Sequence, residues 1–350
     1  MVCVSAPLTA PDQPAAGRPA PHPWPGLLGQ AARRLLLAPS AAVLRRWALG
    51  GVITSALIIL TGAAVRLSQS GLGCPDWPDC TSNSLAASGA TGDPLIHRWI
   101  EFGNRLVTVA IFVVAIGVTI VAWRFRAASG RRRRDLLWLA VAQPVSIVVQ
   151  ALLGGLVVLT KLNPALVSVH FLASVALIAA TVALYVRCQE GDGPPKAHVP
   201  RIVQRAALGV AACVAVMMAA GTVVTGTGPL AGATDVARYH LPLEGVTQLH
   251  ADIGWLLAGL MAMLLVGMRL GRAPARAVRL GWLLLGLIGL QGVIGYAQYF
   301  SGLPAGLVWV HVTGSTAIWI TALLLPYSLR DRGSILDAQP AEPVPQATRA

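Results

Sequence analysis

Charged residues are scarce in this chain. They occupy 12% of 350 positions, against 55% hydrophobic, which is too little charge for an ordinary soluble domain. No CxxC or HxxxH spacing occurs, so a compact zinc or copper centre built on such a motif is not expected. The N-terminus lacks the apolar h-region of a signal peptide and places seven prolines in its first 25 positions. Residues 1–46 therefore read as a disordered cytoplasmic tail, and 329–350 as a second, uninformative one.

What is present is apolar sequence in long runs, with a mean hydropathy of +0.66. Runs of about twenty residues fall near 47–66, 100–123, 136–158, 166–186, 206–225, 248–268, 280–300 and 306–328. Each is long enough to cross a hydrocarbon core of roughly 30 Å. The expected fold is an all-α integral membrane protein with eight transmembrane helices, multi-pass in the cell membrane. The net charge is +13, yet 22 of the 27 basic residues sit in the segments that lie on one side if the N-terminus is inside. This bias places both termini in the cytoplasm. The basic balance reflects topology and does not point to nucleic acid.

Two stretches align without gaps at a shift of 141 residues: QALLGGLVVLTKLNPALVSVHFLAS from Gln150 and QGVIGYAQYFSGLPAGLVWVHVTGS from Gln291. Gln150 falls on Gln291, Gly154 on Gly295, His170 on His311 and Ser174 on Ser315, with Pro164 and Pro304 within one place. LTGAAVRLSQSGLG (60–73) and AAGTVVTGTGPLAG (219–232) correspond more weakly. The expected architecture is two pseudo-symmetric four-helix bundles, related by an axis along the membrane normal. Their bounds are 47–186 and 206–328, with a cytoplasmic linker at 187–205.

Of seven histidines, His22, His198 and His240 lie in tails and loops and read as solvated. His97, His170, His250 and His311 lie near the outer ends of the second, fourth, sixth and eighth runs. Facing histidines on bundle helices are the ligand set of six-coordinate heme iron. Gly154, Gly155, Gly292 and Gly295 leave room for a macrocycle, or serve plain helix packing. His250 and His311 form the strongest candidate pair. Aligning the second run on the sixth sets Asn104 opposite His250, with His97 seven residues earlier, about 10 Å along the helix. The partner of His170 is therefore left open among Asn104, His97 and no protein ligand.

In LIHRWIEFGNRL (95–106), His97, Glu101 and Arg105 share one helical face. Ionisable groups at membrane depth are costly and either pair or serve a function. Glu101 is thus either an ion-pair partner or a carboxylate aimed at the edge of a heme in the first half, with Arg98 or Arg105 setting its charge or holding a propionate. The second half has no comparable carboxylate beside His250. One half looks equipped for chemistry, the other for holding a cofactor. Among five cysteines, Cys74 and Cys80 share an outer loop, where oxidation is permitted. A bridge there would pin a short loop over the site, as a staple more readily than as a redox pair. Cys3, Cys188 and Cys213 are expected to be inert.

TGAAVRLSQSGLGCPDWPDC, IEFGNRL and GGLVVLTKLNPALVSVH, with His250 and His311 in their places, make residues 45–328 resemble the heme A synthase family. These membrane enzymes convert heme O to heme A for aa3-type terminal oxidases. The resemblance implies heme ligation by His170, His250 and His311, a catalytic Glu101 and a Cys74–Cys80 disulfide. It also implies heme b in the C-terminal half and heme O as substrate in the N-terminal half. The reaction would take a methyl group to a formyl group by two hydroxylations and loss of water. Heme O synthase and oxidase assembly factors would be its partners. Two departures stand out: the family commonly has histidine where this chain has Asn104, and a second cysteine pair found in some members is missing from 226–247. Asn104 is read as a variant resembling actinobacterial members. Two rival readings are a bis-histidine cytochrome b with two equivalent sites and, less favoured, a transporter. The transporter would want its charged groups near the midplane, whereas here the polar groups crowd the outer ends.

Overall fold

A bilayer offers no water to backbone amides, so each apolar run has to satisfy its own hydrogen bonds as a helix. A computed structural model of the chain describes residues 39–81, 84–87, 95–126 and 130–335. It has helices at α1 (Ala41–Leu67), α2 (Leu95–Arg124), α3 (Arg134–Leu159), α4 (Pro164–Arg187), α5 (Arg201–Thr227), α6 (Leu243–Leu270), α7 (Ala275–Phe300) and α8 (Ala305–Ser328). All eight are long and apolar enough to cross a membrane, and every expected run lies within one of them. Side chains such as Ile53, Trp138, Leu152, Met263, Leu270 and Phe300 are exposed, as befits a surface solvated by lipid.

Local chemistry sets the helix starts. Ser40 accepts the Val43 N–H (3.3 Å) at the head of α1, and Asn163 accepts the Ala165 N–H (3.1 Å) at the head of α4. Pro200, Pro242, Pro274 and Pro304 immediately precede α5 to α8, where a residue that cannot extend a preceding helix marks the boundary.

Two expected tails are corrected. The first was drawn to residue 46, but α1 begins at Ala41 and Leu44 is fully buried; residues 1–38 lie outside the described residues. The last was drawn as uninformative from 329, yet Leu329 is fully buried. Arg330–Asp331 (β2) pairs antiparallel with Lys196–Ala197 (β1) of the linker, Lys196 opposite Asp331. Beneath this clasp Asp135 accepts from Arg133 (2.8 Å) and Arg187 (2.6 Å). Glu190 accepts from Arg187 (2.6 Å) and Arg330 (3.0 Å). The linked charges join the start of α3, the end of α4 and the segment after α8. Residues 336–350 are outside the described residues.

The helices touch in a repeated order. Among the first four, α1 meets α2, α2 meets α3, α3 meets α4 and α4 meets α1; α5 to α8 do the same. Further contacts run between α1 and α8, α4 and α5, and α4 and α8. Burial repeats as well. Ile111, Ala115, Val118 and Ala122 of α2 are buried, and so are Leu257, Met261, Leu264 and Met268 of α6, each 146 residues on. At a shift of 141, buried Val175, Leu177, Ile178 and Leu184 of α4 fall on buried Thr316, Ile318, Trp319 and Leu325 of α8. Indole hydrogen bonds cross between the two sets of helices: Trp319 donates to the Val175 carbonyl (2.9 Å) and Trp309 to the Leu60 carbonyl (3.0 Å).

Candidate functional site

The four helix-borne histidines lie toward the end of the bundle that carries the loops at 68–81 and 228–242, and the arginine network lies at the other. His250 and His311 face each other with ring centroids 6.3 Å apart. Two metal–nitrogen bonds of roughly 2 Å, plus roughly 1 Å from each nitrogen to its ring centre, span about 6 Å. The pair therefore has the separation that one iron between two imidazoles needs. Their Nδ1 atoms are enclosed with no hydrogen-bond partner, a costly state for a polar atom unless something else engages the ring. Helix glycines make room for the rings. A Cβ at Gly221 would lie 3.2 Å from His250, and one at Gly295 would lie 3.4 Å from His311.

His170 has the same support: a Cβ at Gly154 would lie 3.4 Å from its ring. Here the ring is also held. The Gln150 amide lies 3.0 Å from His170 Nδ1 and 2.7 Å from Ser174 Oγ. Sequence reasoning had seen Gln150 and Ser174 only as marks of the repeat. Their clustering with His170 was missed, although one helical turn from His170 to Ser174 and the matching Gln291–His311–Ser315 set pointed to it.

His97 goes elsewhere. Its Nδ1 is 2.8 Å from Ser70 Oγ, Ser70 is fully buried, and Ser68 Oγ lies 2.8 Å from Ser70 Oγ. Gly73 packs so tightly here that a Cβ would collide with the His97 carbonyl. His97 thus helps fasten the loop after α1 onto α2. Asn104 lies on the inner stripe of α2, seven residues before Ile111, as His250 lies seven before Leu257. Its Oδ1 is buried without a partner.

Glu101 is buried, with only 7% of its side chain exposed. Its Oε2 accepts the Cys74 N–H (2.7 Å) and its Oε1 accepts from Arg105 (2.8 Å). Arg105 goes on to donate to the carbonyls of Cys74 (3.0 Å), Asp76 (3.1 Å), Pro78 (3.3 Å) and Asp79 (2.8 Å). One guanidinium therefore reads the backbone of the whole 74–79 loop. Cys74 and Cys80 are joined as a disulfide, and both are fully buried. Trp77 of this loop covers α3 so closely that a Cβ at Gly155 would collide with its indole. That contact is one residue from the glycine beneath His170.

His198 and His240 are exposed, as expected, while His22 and Cys3 lie outside the described residues. Cys188 and Cys213 are free, and burial pushes the Cys188 thiol up to about 12, which leaves it unreactive. Among the described residues no three His, Cys, Asp or Glu side chains gather as a metal site. His250 and His311 face each other as a pair.

These features define a multi-pass helical membrane protein with inward histidines paired across helices. Residues 45–324 match the family described as cytochrome oxidase assembly protein, COX15-CtaA, and the chain belongs to that family. A protein named heme A synthase from Lysinibacillus sphaericus (strain C3-41) is 31% identical over 128 residues, 36% of this chain and 39% of the relative. A protein of the same name from Bacillus cereus (strain 03BB102) is 30% identical over 130 residues, 37% of this chain and 39% of the relative. The match thus spans about two fifths of the length of these relatives.

Proposed function

We propose that this chain is a heme A synthase, oxidising a methyl group of heme O to a formyl group by two successive hydroxylations and loss of water. The observation that carries the reading is the His250–His311 pair, facing at 6.3 Å in a chain whose relatives bear that name. In this reading residues 206–328 hold heme b between those two histidines, and residues 47–186 hold heme O as substrate with His170 toward its iron. The bound heme b supplies one-electron redox chemistry.

The side chains do the rest. The Gln150 amide, 3.0 Å from His170 Nδ1 and anchored on Ser174, fixes the plane of the His170 ring. Glu101, one turn from Asn104 on α2, handles a proton or steadies positive charge near the methyl group. Arg105 and the Cys74 N–H fix the position of its carboxylate. The disulfide-closed loop, fastened by Arg105 and by Trp77 on α3, shuts water out of this end of the bundle. Heme O synthase would deliver the substrate, and oxidase assembly factors would take the product.

The test is pigment chemistry. Expressed in a membrane that contains heme O, the chain should yield heme A or a hydroxylated heme O on extraction. Heme b alone would favour an electron-transfer cytochrome, and a colourless protein would favour a transporter.

A further inference from the structure

We propose that heme in the N-terminal half has one protein ligand, His170, and that its opposite iron face takes a small exogenous ligand, hydrogen-bonded by the Asn104 amide. The proposal rests on the heme-binding reading given above and concerns the side of that site where this chain departs from its own second half.

The register of α2 is the first support. Its buried residues Ile111, Ala115, Val118 and Ala122 match Leu257, Met261, Leu264 and Met268 of α6 one for one. That registers Asn104, and not His97, with the ligand His250. A neutral carboxamide is a poor iron ligand beside an imidazole, and it is shorter. It does carry both a donor and an acceptor, and its Oδ1 is buried with no partner.

The second support sets His97 off that level. Its Nδ1 lies 2.8 Å from Ser70 Oγ on the loop after α1, and seven residues separate it from Asn104, about 10 Å along the helix axis.

The third is space. His170, His250 and His311 each lie against a helix glycine, Gly154, Gly221 and Gly295, at 3.2–3.4 Å from where a Cβ would stand. The fourth glycine of the set is Gly62 of α1, which matches Gly221 in the repeat, and a Cβ there would meet no atom within 4 Å. Three of the four glycine seats carry an imidazole. The fourth carries none.

The experiment uses the purified full-length chain with its co-purified hemes, reduced and exposed to carbon monoxide. A CO difference spectrum from one of two hemes is expected. Asn104→His should abolish it at unchanged heme content, with the low-spin signal of the His250–His311 heme reporting that the variant is folded. Asn104→Leu should keep CO binding but shift the C–O stretch upward, because the amide hydrogen bond is gone; an unmoved stretch overturns the role given to the amide. Two hemes bound with no CO spectrum overturn this proposal alone, as does a CO spectrum that survives His170→Ala and vanishes in His250→Ala. A chain that purifies without heme overturns both this proposal and the function it rests on.

Discussion

Exchanging Glu101 for glutamine separates two roles that the geometry superimposes. The carboxylate accepts two charge-assisted hydrogen bonds, from Arg105 at 2.8 Å and from the Cys74 N–H at 2.7 Å. Glutamine keeps the volume but has one carbonyl oxygen, so its NH2 must face one of those two donors. Losing one hydrogen bond to a charged group costs about 1.5–3 kcal/mol. Arg105 keeps its loop carbonyls, so its charge is not stranded and the lower part of that range applies. If holding the loop were the whole function of Glu101, the variant would be less stable, with turnover per folded molecule nearly intact. If the carboxylate also works on the substrate, heme A formed per bound heme b should fall about 100-fold or more. The His250–His311 spectrum should persist, because that pair lies on other helices. The assay is extracted heme A normalised to heme b, with thermal loss of the heme b spectrum measured in parallel. Arg105→Gln is the control, since it releases the loop while leaving the carboxylate. A near-normal normalised yield in Glu101→Gln, or equal losses in the two variants, would refute a catalytic Glu101.

Either His250→Ala or His311→Ala should abolish the low-spin b-type spectrum of the purified chain; a double variant that kept it would remove the cofactor assignment. Replacing Cys74 and Cys80 together by serine should lower thermal stability and leave some heme A synthesis, whereas full inactivity with unchanged folding and heme content would point to a redox role. Gln150→Leu leaves His170 Nδ1 without a partner and should weaken heme retention in the N-terminal half by about tenfold; heme stoichiometry by difference spectroscopy reads this, with the second heme as internal reference. Trp319→Phe deletes the buried hydrogen bond to the Val175 carbonyl (2.9 Å) and should cost about 1–3 kcal/mol in detergent denaturation, without altering the heme spectrum.

The eight spans were legible because length and hydropathy over some twenty residues are all that a bilayer demands. Their ends were less so. Hydropathy stops at Arg45 and Arg46, whereas the helix stops at its cap, Ser40, one turn earlier. The strand pair between Lys196–Ala197 and Arg330–Asp331 was invisible because two residues carry no periodicity. The histidine pairing was readable because four histidines fall near the outer ends of the even-numbered runs, at one depth.

Glu101 shows where such reading stops. Spacings of four predicted a pair with Arg105, and the pair is present. The other partners of that pair are backbone groups of the 74–79 loop, more than twenty residues away. An amide or a carbonyl has no letter in the sequence, so a side chain that binds backbone leaves no complementary residue to find. His97 shows the same limit. Helix spacing left it open as a displaced ligand and gave no sign of its contact with Ser70, a serine indistinguishable in sequence from nearby Ser68. What the chain does reveal is the mismatch between its halves: histidine at 250, asparagine at 104, on helices whose buried apolar residues Ile111, Ala115, Val118 and Ala122 register with Leu257, Met261, Leu264 and Met268. A fold that repeats its packing but changes the residue at one inward place has kept the container and altered what lines it. The functional difference between the halves should therefore be sought at Asn104 first.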